Sequence, residues 1–211
     1  MSDLCAALHE WAREKVRIGF PFNGDVVPSN GIYLLFEKKE KGHRGDRIVR
    51  VGTHRGDGNL LSRLKEHFLV ENKDRSIFRK NIGRALLAKD EDPFLRQWEL
   101  DVTSHKEKIA NADKVDQGKK NMTEHKVTGY IQDRFSFVII PTRREAKERL
   151  ALEDRLISSI SLCEECKASK SWLGAHSPID KIRESGMWNV QGLWKTPIDS
   201  SDLRAIMATI G

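Results

Sequence analysis

Apolar and polar positions along the chain repeat with two periods, and the changes of period mark the elements. Residues 3–17 read as a helix, because Leu4, Leu8, Trp11 and Val16 roughly follow one face and Asp3 stands where a cap would. Residues 20–30 hold Pro21, Asn23, Gly24, Pro28 and Asn30 and read as a loop. The run 31–37 (GIYLLFE) is short and apolar and predicts a buried strand. Residues 37–46 (EKKEKGHRGD) look too polar to be buried and read as a connection, whereas 47–52 (RIVRVG) alternates and predicts a second strand paired with the first. After a break at 56–59, Leu60, Leu61, Leu64 and Phe68 recur at helical spacing over 60–70, and 76–89 predicts an amphipathic helix with Ser76 as its cap. Residues 90–93 end it. Residues 95–102 then read as a strand and 103–123 as a mobile polar stretch. Residues 135–141 (FSFVIIP) are the clearest strand, and a long helix follows over 143–162 with Ala146, Leu150, Glu153, Leu156, Ile157 and Ile160 on or near one face. The tail sets Trp172, Trp188 and Trp194 among Gly and Pro and ends in a helix from about Ser200; for the stretch 172–178 core packing is the expected role, with support of a site or stacking on bases as the alternative.

This order predicts an α+β fold: a small mixed or antiparallel sheet of about three strands flanked by helices, with extra helices at both termini. The expected division is 1–29 as an N-terminal helix and loop, 30–162 as the core with an insertion at about 90–130, and 163–211 as a Trp-rich extension packed on the core. A chain of 211 residues is one domain with elaborations, or at most two small ones. No internal repeat and no glycine-rich nucleotide loop is present.

Charge sharpens the picture. Hydrophobic residues make up 38% and charged residues 32%, no apolar run approaches the roughly 18–20 residues that span a bilayer, and the first twenty residues lack a signal-peptide core. A cytoplasmic protein without a membrane partner is expected. Three cysteines, an odd number, fit a reducing compartment. Cys163 and Cys166 form a C-x-x-C, read as two thiols one turn apart on a helix, since no second C-x-x-C accompanies them. The net charge is +6, but residues 38–84 hold fourteen Lys/Arg against six Asp/Glu, which is +8, so the remainder sums to −2. Basic charge gathered in one stretch fits a polyanion, most often a nucleic acid; a solvated charged face is the plain alternative.

Four short patterns then fall in order. Gly31-Ile32-Tyr33 opens the first strand, and Arg50-Val51-Gly52 closes the second. The next helix carries Arg63 and His67 as R-x-x-x-H, and Glu153 sits in E-x-x-L-I on the helix after the last strand. Across roughly 30–160 the chain resembles the GIY-YIG nuclease family. That resemblance implies a metal-dependent endonuclease acting on DNA, double-stranded by preference. It implies one Mg²⁺ (Mn²⁺ able to substitute) held by Glu153, with Tyr33 as base or water-orienting group. Arg63 would stabilise the transition state, and His67 would be the supporting acid/base or positioning group. Asn189 is the counterpart of the family's asparagine, later in the chain than usual, and Arg50 replaces the second tyrosine of the motif.

Elementary chemistry supports these residue types independently. Phosphodiester hydrolysis needs an activated water, charge neutralisation at phosphorus and help for the leaving oxygen. Arg63 offers a permanent forked charge, His67 lies one turn along on the same helix face, and Glu153 is a hard oxygen ligand suited to Mg²⁺. A strand tyrosine can orient or deprotonate water when a cation stands nearby. Arg50 stays protonated and so serves as a phosphate contact, not a base. His54 and Arg55 follow the second strand directly, while Arg79, Lys80 and Arg84 share one helix; all are expected to meet phosphates rather than bases. Two other classes stay open: a catalytically weakened or inactive nucleic-acid-binding protein on the same scaffold, and an interaction module whose basic face meets an acidic protein. A cutter of both strands would use two sites, for which a dimer is one arrangement.

Overall fold

The run GIYLLFE does not alternate because the strand it forms is covered on both faces. A computed structural model describes residues 2–209. Its four strands are β1 (Ile18–Gly19), β2 (Gly31–Gly42), β3 (Gly45–Gly52) and β4 (Phe135–Pro141), an antiparallel sheet in the order β1-β4-β2-β3. Before the sheet comes α1 (Ser2–Glu14). Between β3 and β4 lie α2 (Leu60–Phe68), α3 (Ile77–Lys89), α4 (Leu95–Trp98), α5 (His105–Asn111) and α6 (Gln117–Arg134). After β4 come α7 (Ala146–Ser161), α8 (Asp180–Ser185) and α9 (Ser200–Met207). Ile32, Leu34, Phe36, Val138 and Ile140 pack with α1, α7 and α9. Tyr33, Leu35, Phe135 and Phe137 pack on the other side with α2, α3 and α6 and with Trp172 and Trp188. The result is an α+β fold of three layers, with a sheet one short strand larger than expected. No described helix is long and apolar enough to cross a membrane.

The polar stretch 37–46 is not a connection. Both strands run through it to a tight turn at His43 and Arg44, whose φ values of 48° and 61° are those of a hairpin turn with both central residues left-handed. Lys38, Lys39 and Lys41 are exposed, but Glu37, Glu40 and Arg47 are buried because each meets a partner. Arg47, fully buried, donates to Glu40 at 2.6 Å, and Ser169 Oγ donates to the same carboxylate at 2.5 Å. Glu37, 4% exposed, accepts from the indole N–H groups of Trp172 (2.8 Å) and Trp188 (2.9 Å) and from the Tyr130 hydroxyl. Burial raises the Glu37 pKa, against the pull of those three donors.

Other expectations are corrected. Residues 95–102 hold one helical turn, α4, and no strand: Leu95 and Trp98 stand three apart on one helix face, and Trp98 Nε1 bonds Lys80 O at 3.0 Å. The stretch 103–123 holds α5 and the first part of α6, which Asp116 caps by accepting from Lys119 N at 2.9 Å. The buried residues of α6 (Thr123, Glu124, Val127, Ile131) fall on one face, but two are polar, so apolar periodicity was faint there. Helix α1 starts at Ser2, which puts Asp3 inside its first turn, and it ends at Glu14, leaving Val16 85% exposed. Cys163 and Cys166 lie at a 3₁₀ turn after α7, not on a helix. Ser76 caps α3 as expected, accepting from Arg79 N.

The open edge of β3 is covered by the chain just beyond α8. Trp188 N donates to Val49 O at 2.8 Å, and the Asn189 side chain bonds both the N–H (3.1 Å) and the C=O (2.9 Å) of Val51. The register slips by one between Leu35↔Arg50 and Phe36↔Ile48, so Val49 is an extra, bulged residue.

Glu37 joins the sheet to three distant aromatic donors, so Glu37→Leu should cost about 3–5 kcal/mol in urea unfolding at neutral pH, and Glu37→Gln clearly less. Losses below about 1 kcal/mol for both would show that the donors find other acceptors.

Candidate active site

The Tyr33 ring lies across the backbone of Gly52, its cross-strand partner. A Cβ added to Gly52 would collide with the Tyr33 ring and hydroxyl, so glycine is required there. Tyr33 Oη reaches His67 Nε2 at 2.7 Å, and His67 Nδ1 reaches Ser76 Oγ at 2.7 Å. Ser76 thus orients the imidazole with the same oxygen that caps α3. One turn before His67 on α2, Arg63 donates to Glu66 (2.9 Å) and to Arg75 O (2.9 Å).

Of these, Arg63 and Glu66 border an open cleft of about 630 Å³ between α2, α7, the end of β3 and the 189–191 segment, whereas His67 is fully buried and does not reach it. Arg50, His54, Arg55, Arg63, Glu153 and Asn189 line it. Tyr33 does not; it is fully buried behind this wall. The bulge at Val49 aims Arg50 toward the α2/α3 layer, where its guanidinium sits 5.1 Å from the Phe78 ring and donates to Trp188 O at 3.0 Å. Among the described residues no carboxylate pairs with Arg50. Glu153 accepts from Thr53 N at 3.2 Å through one oxygen, and its other oxygen makes no hydrogen bond among the described residues.

The electrostatics follow from this layout. Burial raises the Glu153 pKa, and Arg50, the Thr53 N–H and Arg63 oppose the rise. Burial also holds the His67 pKa well below the ordinary value of 6.5, helped by Arg63, Arg50 and Arg79, so the imidazole is neutral. Burial tends to lower the Arg63 pKa, but the neighbouring Tyr33 and Glu66 outweigh it and leave it raised. His54 is lowered by burial and by Arg149, so it too faces the cleft uncharged; both its ring nitrogens are buried without partners.

Of the expected phosphate contacts, Arg50, His54 and Arg55 reach the cleft. The helix trio does not. Arg79 is fully buried, donating to the Glu124 carboxylate at 2.7 Å, to Thr128 Oγ1 at 2.8 Å and to His67 O at 3.1 Å, so it holds α2, α3 and α6 together. Lys80 donates to Glu99 O at 3.1 Å, and Arg84 grips the Glu99 carboxylate at 2.6 and 2.5 Å. Basic residues four apart on a helix looked like a polyanion face, but the loop after α4 supplies their counter-charge. Asn189 lines the cleft with its amide already engaged on Val51.

Sequence reading missed Arg149. It stands one turn before Glu153 on α7, is 1% exposed, and donates to Gly56 O at 2.6 Å and Arg144 O at 2.9 Å, which fixes the 53–56 loop over the cleft. Its one signal was an arginine beside the apolar face of α7. Leu150, expected on that face, is 42% exposed at the cleft. Glu66 was also missed, as it resembled any exposed helix carboxylate.

A family model described as a GIY-YIG domain matches residues 4–210. The chain belongs to the GIY-YIG family. The match extends past the 30–160 stretch that carried the motifs into both terminal segments. No curated protein and no solved structure matches the chain. The GIY-YIG family is one of endonucleases, typically metal-dependent and acting on DNA, and membership supports a nuclease. The GIY segment is the start of β2, and the RVG segment that stands for YIG is the end of β3. Glu153 fits a hard divalent ion. It is a largely buried carboxylate, unpaired by any direct ion pair, with one oxygen free at the cleft wall.

Because the folded His67 pKa lies below the unfolded value, the unfolded chain binds more protons as pH falls, and His67 draws stability away below about pH 6.5. Unfolding free energies measured against pH should therefore fall less steeply in His67→Gln than in wild type, by up to about 1.4 kcal/mol per pH unit. Parallel curves would mean that His67 titrates normally.

Proposed function

We propose that the cleft hydrolyses phosphodiester bonds of double-stranded DNA, with one Mg²⁺ held by Glu153 and water attack assisted by Tyr33. The observation that carries this is the meeting in one cleft of a carboxylate with no ion-pair partner among the described residues and two arginines, drawn from β3, α2 and α7, with the tyrosine–imidazole–serine line of β2, α2 and α3 buried behind them. Mg²⁺ or Mn²⁺ bound there would act as Lewis acid on the scissile phosphate. Arg63 and Arg50 present guanidiniums to the phosphoryl oxygens, whose charge grows as the water oxygen bonds to phosphorus and the bond to the leaving sugar oxygen breaks. Tyr33 helps to orient the water, whose proton leaves to solvent through the open cleft. His67, neutral, positions the Tyr33 oxygen and is no acid in its own right. Arg55, exposed at the rim, meets a neighbouring phosphate.

A second reading is favoured by one feature: Tyr33 is fully buried and absent from the cleft wall, while Arg50 takes the second tyrosine's place. Those facts suit a nucleic-acid-binding protein with little or no cutting activity.

Cleavage of supercoiled plasmid with Mg²⁺ or Mn²⁺ separates the two. The enzyme reading expects nicked or linear product from the wild type, with rates lower by about 10³ or more in Glu153→Ala and about 10²–10³ in Arg63→Ala, both variants still folded and DNA-binding. A wild type that binds DNA yet never cuts, whatever the metal, leaves the binding protein.

Since Arg50 holds the Glu153 pKa down against burial, Arg50→Gln should move the acid limb of the Mg²⁺-dependent rate to higher pH than in wild type. An unmoved limb would mean that Glu153 does not govern it.

A further inference from the structure

All three cysteines of the chain meet on the α1/α7 side of the sheet, far along the chain from one another. Cys5 is on α1, and Cys163 and Cys166 flank the turn after α7. Two histidines join them: His9, one turn beyond Cys5, and His43 at the tip of the β2–β3 hairpin. Cys5 and His9 are fully buried, Cys166 is 2% exposed, and the His43 side chain is 4% exposed. One donor atom each from Cys5, His9, His43 and Cys166 lies within 4.8 Å of all the others.

The spacings suit an ion better than a bare thiol cluster. Cys5 Sγ and Cys166 Sγ are 3.6 Å apart, close to the edge of about 3.8 Å that two thiolates about 2.3 Å from a tetrahedral Zn²⁺ would span. Both histidines are held in the way metal-bound imidazoles are, with Nδ1 on an oxygen and Nε2 toward sulfur. His9 Nδ1 bonds Cys5 O at 2.9 Å, and its Nε2 lies 3.8 Å from Cys166 Sγ. His43 Nδ1 lies 3.4 Å from the Glu165 carboxylate, and its Nε2 is 3.3 Å from Cys163 Sγ. Ile48 N–H also reaches His9 Nε2, at 3.1 Å, so an ion taking that nitrogen displaces one hydrogen bond.

We propose that Cys5, His9, His43 and Cys166 form a buried, closed site for one Zn²⁺ per chain, apart from the cleft, which pins α1 and the hairpin tip to the turn after α7. Four protein donors leave no open position, as in structural rather than catalytic zinc sites. Thiolate and imidazole select Zn²⁺ over Mg²⁺, so this site and Glu153 take different ions. Cys163 stands beside the site as a neighbour of His43. The bound ion ties together segments of three separate elements, and its binding energy is folding energy for them.

The test is titration of chelator-stripped, reduced, full-length protein with Zn²⁺ and Co²⁺. One equivalent of each is expected, the Co²⁺ complex showing tetrahedral ligand-field bands and sulfur-to-cobalt charge transfer, and Zn²⁺ raising the Tm. Cys166→Ser should weaken binding at least about tenfold and lose the charge-transfer intensity from one thiolate, while Glu153→Ala binds as wild type does. Should Cys166→Ser fail to fold by circular dichroism, His43→Gln, at the hairpin tip, takes its place with the same expected loss. Folded wild type that takes up no stoichiometric Zn²⁺ or Co²⁺ overturns the site, as does undiminished binding by a folded ligand variant, or loss of the ion in Glu153→Ala.

Discussion

The crossing of the Tyr33 ring over Gly52 is the contact on which the cleft depends. It brings the phenol past the end of β3 to the His67 imidazole, and it holds only because residue 52 has no side chain. His67 in turn is fixed by Ser76, whose hydroxyl starts α3. One hydrogen-bonded line therefore sets the sheet, α2 and α3 relative to one another. Arg63, one turn from His67, inherits its position from that line, and the cleft opens between Arg63 and α7.

Arginines do much of the remaining positioning. Arg47, Arg79 and Arg149 are each at most 1% exposed, and each donates to backbone carbonyls of a distant segment. A planar guanidinium can satisfy several carbonyls in fixed directions, which suits loops that have no ladder of their own. Arg47 and Arg79 also meet a buried carboxylate, so removing either partner would strand a charge. Arg50 differs: it is nearly as buried, 6% exposed, yet has only a carbonyl, an aromatic face and the field of Glu153. Its charge is left directed at the cleft.

What could be read from the sequence follows from the same physics. β4 and α2 were legible from their apolar pattern, and α3 from apolar period and the Ser76 cap together. The 37–46 stretch was misread because Glu37, Glu40 and Arg47 are charged in sequence and satisfied only by partners 7 to 151 residues away. α6 was misread for the same reason, its buried Glu124 answering Arg79 from 45 residues off. The motif residues of the cleft were found by type and order. Arg149 was not, since an arginine that holds a loop looks like any solvated helix arginine until the loop is placed. The same blindness assigned Arg79, Lys80 and Arg84 to a ligand.

Arg50 in place of the motif tyrosine changes the division of labour in the cleft. The chain has two tyrosines, and Tyr130 is committed to Glu37, whose burial and charge push the phenol pKa well up. Tyr33 is therefore the tyrosine left near the cleft, buried behind its wall. A tyrosine at position 50 would do little for a carboxylate whose pKa burial is raising, whereas a guanidinium opposes that rise at every pH the enzyme meets. The substitution exchanges a group that can move protons for a fixed charge that favours ionised Glu153. Such an exchange suits the proposed metal-assisted hydrolysis, in which the carboxylate must be ionised to hold its ion.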